Sequence, residues 1–429
     1  MPYFINIGYR FALPQSVAPD GSVVLAGCLP GHQLARRRIN HRYPHLASRY
    51  FDPQLYLAGL DPAESPQACA YLASYPWFAV QGLTTYDSGQ QTQSDWTQRT
   101  RRRIATLWPR AAPTGSRAIR QAVESCVDFQ LDLGVLAVIL PSPLTVDPAT
   151  DYAQELQWLD EGIRYAASLE EQPPVFATVA ITDTCLRYQD PPQNPLLDLI
   201  LDVVSAREID GVYLVVEQAS EAADARQCTN RRTAWSLLHL VHLFSTDAQI
   251  QVGVNFAGCY GLACRAAGAD FWASGWYKST YRLRLADKIA GGRAYPSYWS
   301  YPAAVDFHLD NDLDNVVGML PQIADRTAAS RGLLRALASR QRVRQVPAWR
   351  YAMSNVAAAA EHFYLSAIQA ESALSAQPSA HDHVEQWLTN ADASARTVAA
   401  TLGRASKTKT DHVASWLSAF RAYRTSQGV

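Results

Sequence analysis

Lysine is scarce in this chain of 429 residues. Of its 38 basic residues only Lys278, Lys288, Lys407 and Lys409 are lysines. Charge of either sign is thin, at 18% of residues, and the formal net charge is −1. That balance excludes a mainly electrostatic nucleic-acid binder and leaves only local basic patches for such a role. No run of 18 apolar residues occurs, so no membrane span is expected. The N-terminus, MPYFINIGYRFALPQ, lacks the basic stretch and apolar core of a secretory signal. The seven cysteines are scattered and odd in number, which suits reduced thiols and a cytoplasmic location, not a disulfide framework. Motifs are missing as well. There is no G-x-G-x-x-G, no phosphate loop and no G-x-S-x-G elbow around Ser142. Cys259 and Cys264 lack a second pair, and His239 and His242 lie on an apolar helical run, so neither set has metal-site spacing. Neither a metal nor a cofactor is expected.

What the chain does hold is a rhythm. Short apolar runs recur: LYLAGL (55–60), WFAVQGL (77–83), VLAVILP (135–141), VFATVAI (175–181), GVYLVVE (211–217), IQVGVNF (250–256), ADFWASG (269–275) and AYPSYWS (294–300). Continuous apolar runs of this length are what strands buried on both faces need. Between several of them lie stretches of helical period, such as SRAIRQAVESCVDFQLDLG and RRTAWSLLHLVHLFST. Alternating buried strands and amphipathic helices make a parallel α/β sheet. Eight runs over roughly 250 residues match a (β/α)8 TIM-like barrel. An open doubly wound sheet is the other candidate, and the absent glycine-rich loop counts against it. The organisation expected is an N-terminal extension (1–50), a barrel (51–320) and an alanine-rich, all-helical C-terminal region (321–429). The polar segment 84–118 interrupts the barrel as a lid or a partner-binding arm.

A barrel builds its site at the C-terminal ends of its strands. On this strand assignment the substrate-binding candidates are Asp61, Gln81, Asn255, Trp276, Tyr277, Tyr298 and Trp299, with Glu217, Asp183 and Lys278 as catalytic candidates. Glu217 ends the apolar run VYLVVE, so it is either paired with an arginine or has a raised pKa. Asp183 ends the neighbouring strand and is either a helix cap or half of an acid/base pair. Lys278 follows two aromatics and reads as a base, an anion contact or a solvated amine. The aromatics of 294–302 would stack on a sugar or nucleobase, or pack against the C-terminal helices. The arginine-rich stretches 36–42 and 99–103 suit phosphates, an acidic partner or plain solvent exposure.

One local similarity bears on substrate. Gly268-Ala269-Asp270-Phe271 after GLACRAA is similar to the turn before strand 7 in tRNA-guanine transglycosylase barrels, over about 25 residues. That resemblance implies an aspartate nucleophile where Ala273 stands and a cysteine-rich zinc site after it. Both are missing, so the similarity keeps nucleobase chemistry open without assigning the family. The leading expectation is an enzyme that cleaves or transfers a glycosidic bond, O- or N-, of a sugar-like or nucleobase-like small molecule. The alternative is a non-catalytic barrel subunit of an assembly, associating through its C-terminal helices and touching nucleic acid through its arginines.

Overall fold

The computed structural model describes residues 2–7, 22–26, 48–80, 93–222, 227–276, 278–288, 295–310 and 312–429. Its central sheet has eight strands, all paired in parallel, in the order β3-β2-β1-β8-β7-β6-β5-β4. They are β1 (Tyr3–Ile7), β2 (Ser22–Ala26), β3 (Ser48–Asp52), β4 (Val138–Ile139), β5 (Val175–Thr182), β6 (Gly211–Glu217), β7 (Gln251–Asn255) and β8 (Phe271–Ser274). The ends nearly close: the Leu136 amide, on the chain entering β4, donates to the Arg49 carbonyl of β3 at 2.9 Å. Where strand pairing is missing at this seam, a side chain replaces it. The Gln130 amide donates to the Ile139 carbonyl at 2.8 Å and accepts from its N–H at 2.9 Å, so both buried peptide groups of β4 are satisfied. The longer helices between the strands begin with α1 (Pro66–Leu72), α2 (Gln93–Leu107), α3 (Ser116–Asp132), α4 (Ala153–Ala167) and α5 (Pro195–Ser205). The sixth and seventh are α6 (Arg231–His242) and α7 (Gly261–Ala266).

The barrel and the helical C-terminal region are as expected, but the strands are allotted differently. The stretch 1–50, read as an extension, supplies β1, β2 and the start of β3. Three apolar runs are not barrel strands. Within LYLAGL, Leu55–Leu57 form a single 3-10 turn entered through Gln54 at φ 56°. WFAVQGL begins in a 3-10 turn started by Pro76 and ends outside the described residues. In AYPSYWS, Ser297–Ser300 form β9, paired antiparallel with β10 (Val305–His308) in a separate two-stranded sheet. Most of their described apolar side chains are buried, and burial does not require a strand.

The barrel's lower half is plugged by rings. Phe4, Tyr50, Phe176 and Phe271 pack together, with Tyr50 and Phe271 stacked at 4.8 Å and 9°. Room for them comes from glycines paired with two of them on the neighbouring strands. A Cβ at Gly211 would lie 2.1 Å from Phe176, and one at Gly253 would lie 2.1 Å from Phe271.

The C-terminal region is built from α8 (Val356–Ser375), α9 (Ala380–Leu402) and α10 (Asp411–Gln427). Helix α8 covers β1 and β8: Tyr364 meets Tyr3, and Glu371 accepts from the Trp272 indole at 2.8 Å and pairs with Arg265 at 3.0 Å. Helix α10 lies on α6, and its Trp416 indole donates to the Cys228 carbonyl at 2.9 Å. Among the described residues, no helix is long and apolar enough to cross a membrane.

Candidate active site

Above the aromatic plug the inward positions turn polar. Asn6 on β1, Asp52 ending β3, Tyr213 on β6 and Asn255 ending β7 meet at the C-terminal side of the barrel, and each is at most 2% exposed. Asp52 is the hub. Its Oδ2 accepts from Tyr56 Oη at 2.6 Å, Tyr213 Oη at 3.2 Å and Asn255 Nδ2 at 3.2 Å, and its Oδ1 accepts from the Gln54 amide at 3.1 Å. Burial pushes the Asp52 carboxyl up to about 6, although the hydrogen bonds from Tyr56, Gln54 and Tyr213 and the Lys288 charge pull the other way. Burial, reinforced by the Asp52 charge, drives Tyr213 well above the tyrosine range, so its hydroxyl remains a proton donor.

The amides of this floor have a fixed sense. Asn255 Oδ1 accepts from the Phe256 N–H at 2.7 Å. A backbone N–H only donates, which identifies the oxygen. Asn6 therefore gives its Nδ2 to the same oxygen, at 2.9 Å. That leaves Asn6 Oδ1 as a buried acceptor with no partner. Phe256 has φ 57°, a left-handed conformation that a phenylalanine adopts only under constraint. Its ring lies 5.1 Å from Lys288 Nζ.

A rim of carboxylates stands above this floor. Glu217 shares the inward face of β6 with Tyr213, four residues further on, or about 13 Å along the strand. It is 2% exposed and accepts from the Leu285 N–H at 2.9 Å. Burial raises its pKa, the Leu285 N–H lowers it, and the Asp183 charge adds to the rise. Asp183 is fully buried and is held by the Ser220 N–H, at 3.2 Å, and by its hydroxyl. Thr182, not Asp183, caps the turn that follows β5, through the Cys185 amide. Both carboxylates thus tie down mouth loops at the ends of adjacent strands, near enough for the Asp183 charge to act on Glu217.

The remaining expected residues are placed differently. Asp61 is exposed, caps the Ala63 amide at 2.9 Å and pairs with Arg110 at 3.5 Å; it makes no contact with the floor. Trp276 is half-buried just past β8, against the core. Lys278 starts a single helical turn, Lys278–Tyr281, but its side chain, like Gln81 and Tyr277, lies outside the described residues. Tyr298 and Trp299 do not offer a stacking platform at the mouth. Tyr298 stacks on His362 at 4.7 Å and donates to the Asp325 carbonyl, while Trp299 packs edge-on to Phe363. Their faces are used to dock α8, because β8 ends at Ser274 and the hairpin belongs to the helical region. The sequence reading found Asn255 but missed Asp52, Asn6, Tyr213 and Lys288. Asp52 does carry a signal, an acidic residue between the aromatic pair of RYFDP and a proline.

Among the described residues no cluster of His, Cys, Asp and Glu could hold a metal ion. No protein-family model matches the chain, and no curated protein is detectably similar to it.

Proposed function

We propose that the barrel is an enzyme that cleaves or transfers a glycosidic bond, O- or N-, of a polar ring-bearing molecule bound at its C-terminal mouth, with Asp52 as the group that handles the proton. The observation that carries this reading is the Asp52 carboxyl itself. It is buried, its pKa is about 6, and side chains from three other strands converge on it or on its partner Asn255. A carboxyl with that pKa is available in both protonation states near neutral pH, which is what a general acid or base requires. Glycosidic cleavage uses two carboxyls. Glu217, raised by its burial with the Asp183 charge adding to the rise, is the other raised carboxyl of the mouth. Asn255 and the open acceptor of Asn6 orient a hydroxyl or amine of the substrate. Tyr213 stabilises the ionised form of Asp52 as it appears.

The test is turnover by the full chain on a panel of 4-nitrophenyl glycosides and ribonucleosides, with Asp52→Asn alongside. The variant keeps the size and most hydrogen bonds of the native side chain. It should lose activity by at least about a hundredfold while retaining the native circular dichroism. Equal turnover by variant and native chain would refute the assignment. No turnover by either would favour a non-catalytic subunit instead.

A further inference from the structure

The segment that follows β8 reads RLRLADK (282–288), three cations and one carboxylate. It lies on the rim. Leu283 bridges in parallel to Glu217 at the end of β6, and the Gln218 amide donates to its carbonyl at 2.8 Å. Arg282 is only 1% exposed. Its Nη2 donates to Asp287 Oδ2 and to the Ala222 carbonyl, each at 3.1 Å, and its Nε lies 3.3 Å from the same carboxylate oxygen. Its Nη1 is buried with no acceptor. Arg284 reaches Asp287 Oδ1 at 3.2 Å through Nη1, and its Nε also has no acceptor. Gln227, on the chain returning from the loop that holds Ala222, is 3% exposed with its Nε2 unpartnered.

Two guanidiniums therefore share the carboxylate of Asp287, and three buried donors at this side of the mouth lack acceptors. Buried donors in folded proteins nearly always find an acceptor, and guanidinium donors are best matched by a multi-oxygen anion. Two guanidiniums and an amide that present three donors suit a multi-oxygen anion such as phosphate. The position also fits, since barrels commonly bind phosphate beside the loops after their last two strands. Lys288 links this rim to the floor: its Nζ faces the Phe256 ring, and its charge acts on Asp52.

We infer that Arg282, Arg284 and Gln227 form a subsite for the phosphate group of a phosphorylated substrate whose ring end lies over Asp52. This rests on the proposed reaction and names its substrate class. The test uses inorganic phosphate and the full chain, without turnover. Thermal unfolding is followed against phosphate concentration, with potassium chloride at matched ionic strength and potassium acetate as controls. The native chain should show a saturable rise in Tm with phosphate and none with either control. Arg284→Gln should weaken the apparent affinity at least tenfold. Asp287→Asn removes the competing carboxylate and should bind phosphate at least as tightly as the native chain, whereas a merely structural Asp287 would give weaker binding. No saturable response, an equal response in Arg284→Gln, or weaker binding by Asp287→Asn overturns the subsite; a response to acetate as strong as to phosphate overturns its assignment to phosphate. Should Arg284→Gln not fold, Asp287→Asn decides. Asp52→Asn should keep the phosphate response, so loss of the reaction and loss of the subsite are read separately.

Discussion

Gly253→Ala puts the packing of the barrel floor to a test whose sign is informative. In an ordinary strand the replacement stabilises by about 0.4–1 kcal/mol, because alanine has less freedom to lose on folding. Here the added Cβ would stand 2.1, 2.5 and 2.6 Å from three atoms of the Phe271 ring. The ring cannot step aside: Tyr50 lies stacked on it at 4.8 Å and Phe4 at 4.9 Å. Overpacking of this kind costs about 1–3 kcal/mol, and a ring held on both sides belongs at the upper end. A net loss of about 2 kcal/mol lowers the folding constant some thirtyfold, at about 1.4 kcal/mol per factor of ten. Equilibrium urea unfolding followed by tryptophan fluorescence reads this as a lower midpoint at unchanged slope. Adding Phe271→Leu should recover part of the loss, giving a favourable coupling between the two positions. A Gly253→Ala chain as stable as the native one, or more so, would refute the aromatic plug.

Two further outcomes concern other parts of the fold. Gln130→Leu should cost about 2–4 kcal/mol in the same urea experiment, because it strands the buried N–H and carbonyl of Ile139, each worth about 1–3 kcal/mol when unpaired; a change below about 0.5 kcal/mol would show that the seam is satisfied otherwise. The helical region and its contact with α6 should be acid-labile: burial lowers the pKa of His362, His381 and His412 in the region and of His239 on α6. Groups held neutral in the fold favour it above their unfolded pKa of about 6.5, and that advantage is lost as pH falls. Urea midpoints should therefore drop between pH 7 and pH 5, and less so in His412→Gln, which keeps a donor for the Ala304 carbonyl; a flat profile would contradict it.

The architecture was legible in the chain wherever an element was apolar on both faces. The strands at 175–182 and 211–217 and the helices beside them announce themselves this way. β1 and β2 are apolar too and mislead only in being allotted to an extension, whereas β3 does not announce itself. Ser48–Asp52 has a polar residue at each end and an arginine in second place, and it earns its place by pairing with β2 and carrying Asp52 into the barrel. The runs 55–60 and 294–300 mislead for the converse reason, since their apolar residues fill 3-10 and hairpin packing. At the site, Asn255 and Glu217 could be read because they end unmistakable strands. Asp52 could not, because its neighbours Asn6, Tyr213 and Asn255 lie 46, 161 and 203 residues away and only barrel closure joins them. Lysine scarcity pointed toward Lys278, whose side chain lies outside the described residues; Lys288, from a segment that looked merely charged, places its amine 5.1 Å from the Phe256 ring beside the floor.

The central claim is that the fold holds Asp52 against its natural ionisation. Raising a carboxyl from 3.8 to about 6 corresponds to about 3 kcal/mol. Because the folded pKa is the higher one, the stability that Asp52 contributes is complete well below pH 4 and is lost as pH rises through 6. The measurement is the unfolding free energy of Asp52→Asn relative to the native chain, taken by urea titration from pH 4 to pH 8. The variant should gain on the native chain by about 2 kcal/mol across that interval, since part of the change lies below pH 4, with the midpoint between pH 4 and pH 6. A difference that stays constant over the same range would mean that Asp52 ionises as an ordinary surface carboxylate, and would contradict the account.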